Sequence, residues 1–96
     1  MQPRVMYVEL KSGHGDDGPA WIGWVKFSKT GRSAYYRGRT LRRAHGISGN
    51  HIDVDTGEEF WVSGVKKNRQ DRHWAGTGRV EIDSDAIDEY NRIVGA

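Results

Sequence analysis

Hydrophobic and polar positions alternate along most of this chain, and the period of two predicts short β-strands. Arg4 to Leu10 puts Met6, Val8 and Leu10 on one face and Val5, Tyr7 and Glu9 on the other. Ser12 to Pro19 is dense in turn formers and reads as a loop. Ala20 to Ser28 is the strongest strand pattern, with Trp21, Val25 and Phe27 on one face and Ile22, Trp24 and Lys26 on the other. Gly23 inside it points to a bulge or to close approach of another backbone. Ser28 to Arg32 is a hairpin turn in which Gly31 takes positive φ. The return strand, Ser33 to Arg37, splits Tyr35 and Tyr36 between its faces. Gly38 and Arg39 interrupt it, and Thr40 to Arg43 forms a further short strand. After a loop from Ala44 to Asn50, His51 to Val54 and Glu58 to Val65 read as strands joined by the turn Asp55-Thr56-Gly57. Lys66 to Arg69 forms a basic tip, from which Gln70 to Trp74 returns, and Ala75 to Gly78 links to a final strand, Arg79 to Ile82.

The period then changes. Ile87, Tyr90, Ile93 and Val94 share one face of a helix over about 84–94, with Asp83 or Ser84 as its N-cap. Asp85 and Asp88 favour its start and Gly95 its end. The fold class expected is β-rich (α+β): a small, bent antiparallel sheet or barrel of five to seven short strands, closed at one end by one C-terminal helix. Residues 1–96 make one domain, with strands over about 4–82.

Composition narrows the function classes. The absence of cysteine excludes disulfides, thiolate catalysis and cysteine-ligated zinc. No stretch approaches the ~20 apolar residues of a membrane-spanning helix, and no export leader is read at the N-terminus. A cytoplasmic domain without a cofactor or membrane partner is expected. The net charge of +2 hides a segregation. No acidic residue lies between Asp17 and Asp53, whereas Lys26, Lys29, Arg32, Arg37, Arg39, Arg42 and Arg43 all do. Lys66, Lys67, Arg69, Arg72 and Arg79 form a second basic group, and Glu81, Asp83, Asp85, Asp88 and Glu89 make the C-terminal element acidic.

Three kinds of chemistry fit these residues. In the first, Trp24, Lys26, Arg32, Tyr35, Arg37, Arg39, Arg42 and Arg43, with Lys66, Lys67 and Arg69, bind RNA or DNA. Exposed rings stack on bases while cations neutralise phosphates, although no named nucleic-acid motif is present. In the second, Trp21, Trp24, Trp61 and Trp74 line a groove for a protein or peptide partner. In the third, His51 and Asp53 share a strand face, as do Asp71 and His73. Two such pairs facing each other would supply a general base and a general acid for metal-independent RNA cleavage, or would hold a divalent metal. The order of preference is nucleic-acid binding, then partner binding, then catalysis. No metal site is favoured, and the loop His14 to Gly18 lacks the ligand spacing of a calcium loop.

Four blocks carry a resemblance: Val8-Glu9-Leu10-Lys11-Ser12-Gly13, Gly18-Pro19-Ala20-Trp21-Ile22-Gly23, Gly46-Ile47-Ser48-Gly49-Asn50-His51 and Asp71-Arg72-His73-Trp74-Ala75-Gly76. They resemble a group of short bacterial proteins that often bear the label 1-deoxy-D-xylulose-5-phosphate synthase. That synthase is a large multidomain enzyme, which binds thiamine diphosphate through Gly-Asp-Gly and a downstream Asn. Here only Gly15-Asp16-Asp17-Gly18 comes near that motif, so the resemblance implies a mislabelled group and no catalytic residue.

Overall fold

The computed structural model describes residues 2–13, 18–46, 49–68, 70–71 and 79–95. Its strands are β1 (Arg4–Leu10), β2 (Ala20–Phe27), β3 (Ser33–Tyr36), β4 (Arg39–Arg43), β5 (His51–Asp53), β6 (Glu59–Gly64) and β7 (Val80–Ile82). A 3₁₀ turn, Ser84–Ala86, leads into helix α1 (Ile87–Val94). The strands β1 to β6 each pair antiparallel with the next, and β6 pairs antiparallel with β1. The result is a closed six-stranded barrel, as an all-antiparallel ring requires an even number of strands.

The alternation read from the sequence is what fills this barrel. Val8, Val25, Ala34, Tyr36, Leu41, Phe60 and Val62 form its buried interior, with Met6, Leu10, Trp21 and Phe27 packed against them. The opposite faces of β1 and β2 are also apolar, and they build a second core outside the barrel. Val5, Tyr7, Ala20 and Ile22 pack there against Ala86 and Tyr90, flanked by Val65, Val80, Ile93 and Val94. The helix therefore lies on the barrel's side and does not close its end, because only β1 and β2 offer an apolar outer face. The two cores share β1 and β2, which makes the chain one domain.

Other details also depart from the sequence reading. The seventh strand runs parallel to β2, pairing Ala20 with Val80 and Ile22 with Ile82. The first half of β2 has a free edge there, because β3 meets β2 only at Lys26 and Phe27. Ala86 rather than Ile87 begins the buried helical stripe, and Ile87 is left 42% exposed. The 3₁₀ turn accounts for this, since its tighter pitch advances the phase before α1 starts. Gly95 closes α1 as expected, with φ 78° and its N–H donated to the carbonyl of Asn91.

Asp83 precedes the 3₁₀ turn but makes no side-chain cap. Its carboxylate instead accepts the Tyr36 hydroxyl at 2.5 Å and pairs with the Arg37 guanidinium. Burial first, and the adjoining Asp83 second, push the Tyr36 hydroxyl above its ordinary value, so it stays protonated and donates. Gly23 makes the room for this contact, and what comes close is a pair of side chains. A Cβ built there would stand 2.7 Å from Tyr36 Cε1 and 2.8 Å from its hydroxyl oxygen, and closer still to Asp83. Gly23→Ala is therefore expected to destabilise the chain by about 1–3 kcal/mol through overpacking. Urea unfolding checks this, and an unchanged midpoint would contradict it.

Candidate nucleic-acid interface

The outer face of β2, β3 and β4 is built from the positions that alternate with the barrel interior. Val25, Ala34, Tyr36 and Leu41 point inward and are buried, which turns Trp24, Lys26, Tyr35, Thr40 and Arg42 outward. The register sets Lys26 directly beside Tyr35, and Tyr35 beside Thr40. Arg42 lies two residues further along β4, on the diagonal from Tyr35, where long side chains reach one another. Tyr35 is 43% exposed and Trp24 37%. The Trp24 indole N–H donates to the Asp85 carbonyl at 2.9 Å, which fixes that ring against the start of the helical segment.

Two arginines of the same basic run, Arg37 and Arg39, serve the barrel. Arg37 and Gly38 form the two-residue turn between β3 and β4, with φ 50° and 77°. The Arg37 guanidinium lies 5.5 Å from the ring centres of both Trp21 and Tyr36 and pairs with Asp83. Arg39 lies 5.2 Å over Phe60 and bonds Asp53 at 2.6 Å, with Glu58 at 3.6 Å. Both cations are already partnered, so the basic run divides into structural and available charges.

The available charges converge at one end of β4. Arg32, Arg42, Arg43, Ala44, His45 and Asn50 line a cavity of about 380 Å³. The Arg43 N–H donates to the Arg32 carbonyl at 2.8 Å, which sets those two residues side by side. Among the described residues no carboxylate lies within ion-pair distance of Arg32, Arg42 or Arg43. One wall is fixed by Asn50, whose amide donates to the Val62 carbonyl at 2.8 Å while its oxygen accepts the Val62 N–H at 2.8 Å. A larger groove, about 870 Å³, runs beside β7, but it mixes Arg37 and Arg79 with Glu81, Asp83 and Asp85 and favours neither sign of charge.

His51 Nδ1 lies 2.8 Å from Asn50 Oδ1, which can only accept, so Nδ1 carries the proton. Burial, and after it the Arg43 charge, lower the His51 pKa from its ordinary value, which keeps the ring neutral at pH 7. A histidine whose folded pKa lies below its unfolded one binds fewer protons in the folded state. Its contribution to stability is thus fully present above about pH 6.5 and is lost as the pH falls below that value. The melting temperature is expected to drop between about pH 7 and pH 5.5, with a shallower slope in His51→Gln. Parallel slopes in the two proteins would refute the assignment to His51.

Of the two His and Asp pairs only His51 and Asp53 lie wholly among the described residues, and these two do not form an acid–base dyad. His51 and Asp53 share a face of β5 and both are buried, as the spacing predicts. Asp53, however, accepts the Asp55 N–H at 2.9 Å and the Thr56 N–H at 3.3 Å in addition to Arg39. Burial alone would raise its pKa, but Arg39 and these two N–H groups outweigh it and hold the carboxylate below its ordinary value. Asp53 therefore anchors a turn and does not orient His51, whose Nδ1 faces Asn50 instead. Asp71 accepts the Lys66 N–H at 2.7 Å, and burial raises its pKa against the opposing effect of Lys66. His73, Arg69 and Trp74 lie outside the described residues, as does most of the loop from His14 to Gly18.

Lys66 and Lys67 are exposed on the segment after β6, off the outer face of β2 to β4. The three described tryptophans do not line one groove: Trp21 packs against the barrel interior, whereas Trp24 and Trp61 point outward on β2 and β6. Among the described residues no group of three His, Asp or Glu side chains could hold a metal ion, and no helix is long and apolar enough to cross a membrane. Two features carried no sequence signal. One is the clamp of Asn50 on Val62. The other is a buried pair on β1 and just after it, where Glu9 accepts the Tyr7 hydroxyl at 2.5 Å and meets Lys11 Nζ at 3.0 Å. Comparison with family models, with curated proteins and with solved structures returned no match, so the resemblance rests on its four sequence blocks alone.

Proposed function

We propose that this chain is a single-stranded nucleic-acid-binding module that uses the outer face of β2, β3 and β4. The observation that carries the reading is the placement of exposed Tyr35 between Lys26, its direct cross-strand neighbour, and Arg42 on the diagonal. A ring between two cations is what a single strand requires, with a base on the ring and phosphates on either side. The ion pairs support the same reading, because among the described residues Arg32, Arg42 and Arg43 lack carboxylate partners of the kind that occupy Arg37 and Arg39.

Fluorescence anisotropy with labelled single-stranded RNA, single-stranded DNA and duplex DNA at two salt concentrations tests the reading. Affinity for the single strands is expected to exceed that for the duplex and to fall steeply with salt, because counterion release drives phosphate contacts. Lack of binding at low salt would reject the module. Salt-tolerant capture of a peptide in the same assay would move the function to protein recognition.

A further inference from the structure

The cavity at the end of β4 is more specific than a basic surface needs to be. Its lining residues come from the turn before β3, the end of β4 and the loop before β5, so it sits at the margin of the outer face and not across it. Arg42 belongs to both: it borders the cavity and lies on the diagonal from Tyr35. The walls are preformed. Asn50 is clamped to Val62, the Ala44 N–H donates to the Asn50 carbonyl at 3.1 Å, and the Arg43 N–H donates to the Arg32 carbonyl. Glu59, which pairs with Ile52 one strand beyond Arg42, accepts the Gly49 N–H at 3.0 Å.

Three arginines that line one cavity, with no carboxylate at ion-pair distance among the described residues, call for an anion of more than one charge. A phosphodiester inside a chain carries one negative charge. A phosphate monoester carries roughly 1.5 to 2 near pH 7 and presents three strong acceptor oxygens. Guanidinium forks match those oxygens in pairs, and His45 and Asn50 add polar atoms on the wall. The volume of about 380 Å³ lies at the small end of the range for small-ligand pockets.

We propose that the cavity walled by Arg32, Arg42, Arg43, His45 and Asn50 is a receptor for a phosphate monoester, borne by the end of an oligonucleotide or by a free mononucleotide. The proposal deepens the nucleic-acid reading and rests on it: a strand lying across Tyr35 reaches the cavity through Arg42 and ends there. The module would then recognise strand ends, such as those left by nucleolytic cleavage, over continuous strands.

The test compares short labelled oligothymidylates bearing a 5′-phosphate, a 3′-phosphate or only hydroxyl ends, with adenosine monophosphate and inorganic phosphate as competitors. In parallel, the His45 ring signals are followed by NMR during titration with inorganic phosphate. One phosphorylated end is expected to bind about tenfold tighter than the hydroxyl-ended strand. That preference should vanish in the double variant Arg32→Gln/Arg43→Gln, while Tyr35→Ala weakens all three strands alike. Equal affinity for the three strands with an unmoved His45 signal would overturn the receptor and leave the sheet-face reading standing. Loss of strand binding with a saturable His45 shift on adding phosphate or the mononucleotide would reject the sheet face and assign the cavity to a free ligand. Silence in both measurements would reject both proposals.

Discussion

Reversing Arg42 and Arg43 together to glutamate is expected to weaken single-strand binding by 100-fold or more. Each arginine is placed to give a charge-assisted hydrogen bond to phosphate, worth about 1.5–3 kcal/mol, so losing two costs about 3–6 kcal/mol before any repulsion is counted. The double change should also flatten the salt dependence. Each phosphate contact contributes about 0.7 to the slope of log affinity against log salt for a single strand, so two lost contacts remove about 1.4. Arg92→Glu is the control, since Arg92 is an exposed cation of α1 that pairs with Glu89 rather than facing the cavity. It should leave affinity close to that of the unaltered protein. A double variant that melts normally and still binds with unaltered affinity would refute the assignment of the basic face.

The reversal also separates two groups of arginine that look alike in the sequence. Arg37, Arg39, Arg42 and Arg43 lie within seven positions, and composition treats them as one patch. The fold divides them by long-range pairing: Arg37 meets Asp83, 46 positions away, and Arg39 meets Asp53, 14 positions away. Such partners are invisible to a local reading, because they depend on which strands the barrel brings together. The same limit hid the pairing of β7, which depends on the edge that β3 leaves open on the first half of β2.

The period of two was legible for a physical reason. A filled barrel interior forces every second residue to be apolar, and Met6, Val8, Leu10, Trp21, Val25 and Phe27 carry that imprint directly. The position of the helix was legible in principle. Val5, Tyr7 and Ile22 make β1 and β2 apolar on both faces, which is the mark of a strand covered by a second layer. Spacing misled where local backbone competed. His51 and Asp53 stand two apart on one face, yet Asp53 is taken by the N–H groups of the turn that follows it, and His51 by the neighbouring Asn50. The split of Tyr35 from Tyr36 was the most useful of these readings, since it separates a core ring from an exposed one.

Tyr35→Ala tests that separation most sharply. Removal of a stacking ring costs about 1–3 kcal/mol per base, so single-strand affinity is expected to fall by about five- to 150-fold. The fold should be almost unaffected, because the ring is 43% exposed on an outer face and the barrel interior beneath it is filled by Ala34, Tyr36 and Leu41. Tyr35→Phe should bind like the unaltered protein, as stacking uses the ring and not the hydroxyl. Tyr36→Phe supplies the opposite pattern. It removes the hydroxyl that donates to Asp83 at the end of β7, so it should lower the melting temperature and spare affinity. If Tyr35→Ala bound single strands as tightly as the parent while the Arg42 and Arg43 reversal abolished binding, stacking on Tyr35 would be excluded. Phosphate contacts and Trp24, the other exposed ring of that face, would then be left to hold the strand.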